Sequence, residues 1–348
     1  MEKSLKKDII INRLPVVIYF ILIFAALMVI ISAVAPMSNH EPKTTDTYSD
    51  FSTGWLNCEE SEASLDHLSG TTVIHRTITA ADCNKTLFFF AKTSNIKVFI
   101  DGVCQYRNNH FCSQFFGKTP GALFVNVLIP AESDGKLLEI EIENPYKDDD
   151  SAKLDEMYIG DISDIIQFQQ QKRFNSFCIS FIIMVLGVVM LLLFIPLTRQ
   201  KIVGIEFLNL GVTAFVSGLY LTTDGRYLQL VFGDAHIYHV IAETALRLSI
   251  LPFLIFLSQM YDSYSKRISA ILCVIGEIVF AGCFIGEITE IMDYHETLFL
   301  VHVVFAISML FILVSTIKGI VKAPKENIYH NIGCIVLSFM AMTDIIIL

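Results

Sequence analysis

The chain has 348 residues, of which 53% are hydrophobic and 17% charged, and its formal net charge is −10. The hydrophobic share exceeds that of an ordinary soluble domain and predicts a multispan membrane protein. The negative charge argues against nucleic-acid binding and against docking on anionic lipid headgroups.

Seven segments of the sequence are long and apolar enough to cross a bilayer, each with about 20 residues. They are residues 16–35, 174–197, 202–221, 239–260, 268–286, 297–317 and 328–348. The first segment follows Lys3, Lys6, Lys7 and Arg13, so it is either a cleaved signal peptide or a signal anchor. The apolar run is long and "SAVAPMS" is a weak cleavage site, which favours a cytoplasmic amino terminus at 1–14 and an uncleaved anchor at 15–36.

Residues 37–171 form a polar stretch with 21 Asp or Glu against 10 Lys or Arg. The loops that follow alternate between basic and non-basic, and the basic loops are expected to stay in the cytoplasm. This places residues 37–171 outside the cytoplasm and predicts a multi-pass protein of the cell membrane. Lys172 and Arg173 are an exception, since they flank the second span on its outer side.

The pattern within residues 37–171 is typical of an all-β sandwich. "LLEIEIENP" alternates apolar with acidic residues, as a half-buried strand requires. "IKVFIDGVCQYR" predicts a hairpin, because Asp101 and Gly102 tolerate the positive φ of a type I′ turn. Strands at short intervals with Gly, Pro, Asp and Asn between them favour two packed sheets.

These strands resemble a known class of domain. The "VFIDGVCQYR" hairpin, then "FGKTPG", a strand ending at Pro130 and a strand ending "IENPY", is similar to the jelly-roll, carbohydrate-binding-like outer domains of bacterial membrane receptors. The resemblance implies a ligand surface that includes Trp55, Tyr106 and His110. The alternative is that Trp55 belongs to the core and the other two are loop residues.

Four cysteines, Cys58, Cys83, Cys104 and Cys112, lie in this outer region, where disulfides can persist. Three pairings are open, and a pair between Cys104 and Cys112 would fix the loop after the hairpin. Free thiols are the alternative. No C-x-x-C occurs, which argues against a metal site or a thioredoxin-type site.

The remainder, residues 172–348, is expected to form a bundle of six spans with ionisable groups inside them. Glu243 and Arg247 stand four residues apart and can neutralise each other on one helical face. Glu277 has no charge within one turn, so it is expected to face the bundle interior, and Asp344 poses the same question in the last span. His302 lies nearer the outer side.

"DAHIYH", with Asp234, His236 and His239, is either a metal or pH-sensing cluster or a plain interfacial loop.

The whole plan resembles the bacterial seven-transmembrane receptors with diverse intracellular signalling modules. "SGLYLTTDGRYLQLVFG", followed by "ALRLSILPFLIFL", is similar to the way that the second and third bundle helices of that family are joined. The resemblance implies an outer domain that senses a small molecule or carbohydrate and a cytoplasmic output module, often a GGDEF-type diguanylate cyclase or a histidine kinase. Here six spans follow the outer domain and no such module does, so we expect a sensor portion that stops one helix before the output.

No catalytic residue, cofactor or metal site is predicted, because H-E-x-x-H, G-x-S-x-G and a Walker A loop are all missing from the sequence. Two other functions stay open. One is a transporter or channel that uses Glu277 and Asp344, and the other is a membrane-anchored binding scaffold. The expected partners are a ligand, the lipid bilayer and, as an open alternative, a second copy of the chain in a homodimer.

Overall fold

The computed structural model describes residues 47–108, 121–146, 151–233, 235–260 and 263–322, with 332, 333, 335 and 336. The anchor, most of the last span, His110, Cys112, Asp234 and Asp344 are among the sequence predictions that lie outside these residues. The chain divides into two compact units. The first, here the sandwich unit, contains the described residues up to 179 together with 222–241, and the second, the helix unit, contains 180–221 and the described residues from 242 onward.

Nine strands lie in the described part of the sandwich unit. They are β1 (Tyr48–Asp50), β2 (Leu56–Asn57), β3 (Thr71–Thr77), β4 (Thr86–Lys92), β5 (Asn95–Ile100), β6 (Val103–Arg107), β7 (Ala122–Leu128), β8 (Leu137–Glu143) and β9 (Lys153–Gly160). The order is β1-β9-β4-β7 in sheet A and β2-β3-β8-β5-β6 in sheet B, and every pairing is antiparallel. One hydrophobic core contains residues of both sheets, among them Leu87 and Val125 of sheet A and Ile74 and Ile140 of sheet B. The predicted pair of antiparallel sheets ahead of the helices is thus confirmed.

The predicted hairpin is the turn between β5 and β6. Ile100 pairs with Val103, and the two residues between them have φ values of 51° for Asp101 and 72° for Gly102. A type I′ turn requires positive φ at both positions, and Asp followed by Gly meets that requirement at low cost. The alternation of β8 is confirmed as well, since Leu138, Ile140 and Ile142 are all fully buried in the core.

A β-bulge interrupts β9 at Glu156. Phe90 pairs with Asp155 and Phe88 with Tyr158, so Glu156 and Met157 together stand opposite Phe89. Glu156 takes the left-handed φ of 53° at this point. The extra residue shifts the alternation of the strand, which lets Met157 enter the core while Glu156 points to the outer face of sheet A.

Six helices follow in the described residues. They are α1 (Ile162–Arg199), α2 (Ile205–Asp224), α3 (Tyr227–Phe232), α4 (Ala235–Met260), α5 (Ser263–Ile288) and α6 (Leu298–Lys322). Five of them, all except α3, are long and apolar enough to cross a membrane. These five correspond to the predicted spans at 174–197, 202–221, 239–260, 268–286 and 297–317, which is consistent with a multi-pass membrane protein.

Inside the helix unit, α1 and α2 approach each other through glycine. A Cβ atom on Gly187 would collide with the backbone of Phe215, and one on Gly218 would collide with the backbone of Met184. Small residues allow two helix backbones to come this close, as is common between membrane helices. A separate apolar core joins α4, α5 and α6 through Leu254, Leu272 and Ile312 among others.

Candidate functional site

Part of the outer face of sheet A is buried, although the outer face of a sandwich usually meets water. Phe88 and Phe90 of β4 point away from the core and are only 1% and 3% exposed. Their rings lie 5.3 and 5.4 Å from the ring of Phe124 on β7. We call these three residues the covered face. They are covered by residues of α1 and of the segment 222–241, which belong to the same compact unit.

Arg226 binds the covered face by a cation–π contact. Its guanidinium carbon lies 3.9 Å from the centroid of the Phe90 ring. Burial lowers the pKa of Arg226 from its ordinary value and the charge of Arg173 adds to this effect, while Asp224 and Glu156 act in the opposite direction. The residue also takes a left-handed φ of 63° at the start of α3. A desolvated cation–π contact of this kind is worth roughly 2 kcal/mol and can offset the backbone strain.

Glu156, which the bulge turns outward, holds two cations of α1. Its carboxylate accepts hydrogen bonds from Lys172 Nζ at 2.7 Å and from Arg173 Nη2 at 2.5 Å. Burial alone would raise the pKa of Glu156, but the hydrogen bonds and charges of Lys172 and Arg173 outweigh it and hold the pKa below its ordinary value. Arg173 also donates to Gln169 and lies 5.1 Å from the Phe124 ring. The two cations that break the basic-inside pattern therefore have a partner in the sandwich.

The free edge of sheet A is closed by a side chain of α3. In the orientation that satisfies both of its groups, the Gln229 amide donates to Ala122 O and accepts from Phe124 N, each at 3.0 Å. This is the pattern that a neighbouring strand would make with β7. Tyr227, two residues earlier, stacks on Phe177 of α1 with 4.5 Å between the ring centroids. The helix ends are thus bound to the sheet by backbone, aromatic and ionic contacts together.

A cleft of about 380 Å³ opens beside these contacts. Its apolar lining includes Phe88, Phe124 and Leu230, and polar groups are contributed by Tyr106, Asn126 and Gln229. Tyr106 is half-buried here, and its burial raises the pKa of the phenol above the ordinary value, so the hydroxyl is neutral at physiological pH.

Of the two predicted ligand-surface residues that the structure describes, Tyr106 lies at this cleft and Trp55 does not. Trp55 is 1% exposed in the sandwich core, and its indole N–H donates to Phe51 O at 2.8 Å. Its assignment to a ligand surface is therefore corrected, because the core and this hydrogen bond enclose the whole ring, as the alternative interpretation held.

Cys58, Cys83 and Cys104 are free thiols, so none of the pairings among these three is present in the structure.

The predicted pair of Glu243 and Arg247 is present in the helix unit, at 2.5 Å between Oε2 and Nη1. Arg247 is 3% exposed and does more than neutralise its neighbour. It donates to Tyr294 O at 2.6 Å, and its guanidinium carbon lies 4.1 Å from the centroid of the Tyr294 ring. The hydroxyl of Tyr294 lies 3.0 Å from that of Thr244 on α4. Together these contacts join α4 to the loop between α5 and α6. The role of Arg247 is therefore structural.

Glu277 does not face the interior of the helix unit, so that expectation is corrected. Its side chain is exposed in the middle of α5. The buried side of α5 passes through Cys273 and through Gly276, which lies against Leu251. Successive helical residues differ in direction by about 100°, so the burial of Gly276 is compatible with the exposure of Glu277 at the next position. His302 is half-buried on α6.

A metal site at "DAHIYH" finds no support in the described residues. Among them, no group of three or more His, Cys, Asp or Glu is arranged to hold a metal ion. His239 lies instead against Gly121, where an added Cβ atom would come within 2.9 Å of the His239 Cβ. The imidazole side of this residue therefore packs on the start of β7.

No protein-family model, curated protein or solved structure matches the chain. The resemblance to bacterial seven-transmembrane receptors therefore stays a prediction. The observations that bear on function are those of the structure itself, and above all the covered face and its cleft.

Proposed function

We propose that the chain is the sensor portion of a transmembrane receptor, in which the sandwich unit responds to a ligand and the helices carry the response across the membrane. The observation that supports this most is that the β-sandwich forms one compact unit with the first turns of α1 and with residues 222–241. A change in sheet A would act directly on these helix ends, because Glu156, Phe90 and Phe124 contact them.

The geometry of the helices supports transmission. α1 is continuous from Ile162 to Arg199, so the helix that carries Lys172 and Arg173 is the one that also contributes Gly187 to the helix unit. A continuous helix shifts or rotates as a body when one end is displaced. We propose that the ligand favours one of two arrangements of α1 and α3 against sheet A.

The strand order supports assigning the sandwich to the jelly-roll class. With the two-residue strand β2 set aside, the pairs β1 with β9, β3 with β8, β4 with β7 and β5 with β6 nest around the β5–β6 hairpin. These pairs alternate between the two sheets. A long antiparallel hairpin wrapped into two sheets in this way is the jelly-roll arrangement.

In this proposal the sandwich unit lies outside the cytoplasm, the chain is multi-pass, and the output belongs to a cytoplasmic module such as a diguanylate cyclase or a histidine kinase. The pairing of Lys172 and Arg173 with Glu156 is compatible with that orientation, because both of these cations are bound by a carboxylate of the sandwich. The exposed position of Glu277 does not favour a transporter with an ion path inside the described helices.

The test compares two ion pairs of the same sandwich in the full chain in lipid nanodiscs, by hydrogen–deuterium exchange. Glu156→Gln weakens the pair that reaches α1. Glu141→Gln weakens a pair confined to sheet B, where Lys97 Nζ lies 2.5 Å from Glu141 Oε1. We expect Glu156→Gln to increase exchange in α3 and also in the loop between α5 and α6, and Glu141→Gln to leave both unchanged. An increase limited to the sandwich unit would refute the proposed transmission.

A further inference from the structure

The cleft beside the covered face has the properties of a binding site for a small uncharged molecule. Its volume of about 380 Å³ lies within the range of ligand sites, which runs from roughly 300 to 1,000 Å³. Most of its lining residues are aromatic or aliphatic, and polar and apolar groups contribute about equally to its surface. This is the usual composition of a site that recognises a small ligand.

The described lining of the cleft is uncharged. None of the described residues that line it is ionised at neutral pH. The nearby cations are engaged elsewhere, since Arg226 lies over Phe90 and Arg173 is paired with Glu156. A charged ligand would lose part of its hydration here and would meet no counter-ion among the described lining residues, which is costly.

The polar lining offers both donors and acceptors. The Tyr106 hydroxyl can do either, and the amide of Asn126, exposed on the outer face of β7, can do both at once. Phe124 is half-buried, so part of its ring faces the cleft and can receive an apolar face of a ligand.

We infer that this cleft binds an uncharged ligand with one apolar face and a rim of hydroxyl or amide groups, and that Phe124, Tyr106 and Asn126 recognise it. The cleft is lined by β7, β6, α1 and α3, so an occupant would contact the sheet and both helix ends at once. That consequence, but not the binding itself, rests on the proposed receptor function.

The experiment uses two probes of matched shape, phenyl β-D-glucopyranoside and its charged counterpart phenyl β-D-glucuronide. Binding to the full chain in nanodiscs is measured by saturation-transfer NMR, with empty nanodiscs to subtract partition into lipid. We expect the glucoside to bind with a millimolar Kd and the glucuronide to bind at least about tenfold more weakly, because its carboxylate would be desolvated without a partner.

Two variants remove polar groups of the cleft, and two controls lie beside them. Tyr106→Phe and Asn126→Leu should each weaken binding of the glucoside by about fivefold, the value of one hydrogen bond. Gln105→Ala, next to Tyr106 on β6, and Leu128→Ala, on the same face of β7 as Asn126, should leave it unchanged. Unchanged thermal midpoints would show that all four variants are folded.

The inference is overturned if the glucoside fails to bind in the millimolar range, if both probes bind equally, or if the controls weaken binding as much as the cleft variants do. The outcome is separable from the receptor proposal. Binding in the cleft that leaves hydrogen exchange of the helix unit unchanged would uphold the site and count against transmission. If Glu156→Gln changes hydrogen exchange in the helix unit but the glucoside does not bind in the cleft, the receptor proposal is supported and the proposed binding site is overturned.

Discussion

The two sheets of the sandwich have the same core and opposite outer faces. Sheet B turns Glu139, Glu141 and Glu143 outward, and all three are partly exposed. Sheet A turns Phe88 and Phe90 outward, and both are buried. The outer face of sheet B is therefore partly open to solvent, whereas that of sheet A is covered at Phe88 and Phe90 by other residues of the sandwich unit.

The largest expected effect comes from Phe90→Ala on the covered face. It removes a buried ring together with the cation–π contact of Arg226, and should lower the free energy of unfolding of the sandwich by about 3–5 kcal/mol. The matched variant is Phe99→Ala on the outer face of sheet B, where the ring is only half-buried and the loss should be clearly smaller. Trp55 is the only tryptophan and lies in the sandwich core, so its fluorescence reports this unfolding. Equal losses would mean that the two faces do not differ.

The next effect concerns the ion pairs of the two faces. Glu156→Gln leaves Arg173, whose side chain is 11% exposed, without its carboxylate, and should cost about 1–3 kcal/mol. Glu141→Gln on sheet B affects a pair whose side chains are about a quarter exposed, and should cost less than about 1 kcal/mol. Both losses can be read from the denaturation midpoint monitored by Trp55 fluorescence. A Glu141→Gln loss as large as that of Glu156→Gln would contradict the comparison.

The same pair gives the covered face a dependence on pH. Because the folded-state pKa of Glu156 is lowered, the unfolded chain takes up the proton first as the pH falls, and stability must rise with pH in that window. The contribution of Glu156 to the stability of the folded state is complete above the ordinary glutamate pKa of about 4.3. It is lost as the pH falls through the lower pKa of the folded state. Trp55 fluorescence should therefore show a shallower acid limb in Glu156→Gln than in the natural chain. Parallel acid limbs in the two proteins would show that Glu156 has no such role.

Much of the fold follows from local patterns in the sequence. The alternation of "LLEIEIE" predicts a half-buried strand, the Asp101–Gly102 turn predicts the hairpin, and continuous apolar runs predict the helices. Each of these signals involves only neighbours in the chain. The run "LFFF" in β4 also indicates that the outer face of this strand is covered, because an unbroken apolar strand is typical of burial on both faces. Alternation of apolar and polar residues alone does not reveal this.

The candidate site could not be predicted in the same way. Glu156 reaches the outer face only because of a bulge, and a one-residue shift in register is not visible in the local pattern. Arg226 and Gln229 lie about 100 residues from β7 and more from β4, and nothing in their own surroundings points to either strand. Glu277 was misplaced for a related reason, and the position of Trp55 stayed open between core and ligand surface, since residue type sets a tendency toward burial but only packing decides which side of an element faces inward.

The smallest expected effect tests the edge of sheet A. Gln229→Leu removes two hydrogen bonds to β7 but keeps an apolar side chain in place, so stability should fall by only about 1 kcal/mol. The sharper readout is local, because the amide of Phe124 loses its partner and should exchange its hydrogen faster. The matched substitution is Gln105→Leu on β6, the edge strand of sheet B, which should leave the exchange of Phe124 unchanged. If the Phe124 amide exchanged equally slowly in Gln229→Leu and in the natural chain, the edge of sheet A would be protected by something other than α3, and the contrast between the two sheets would rest on the aromatic and ionic contacts alone.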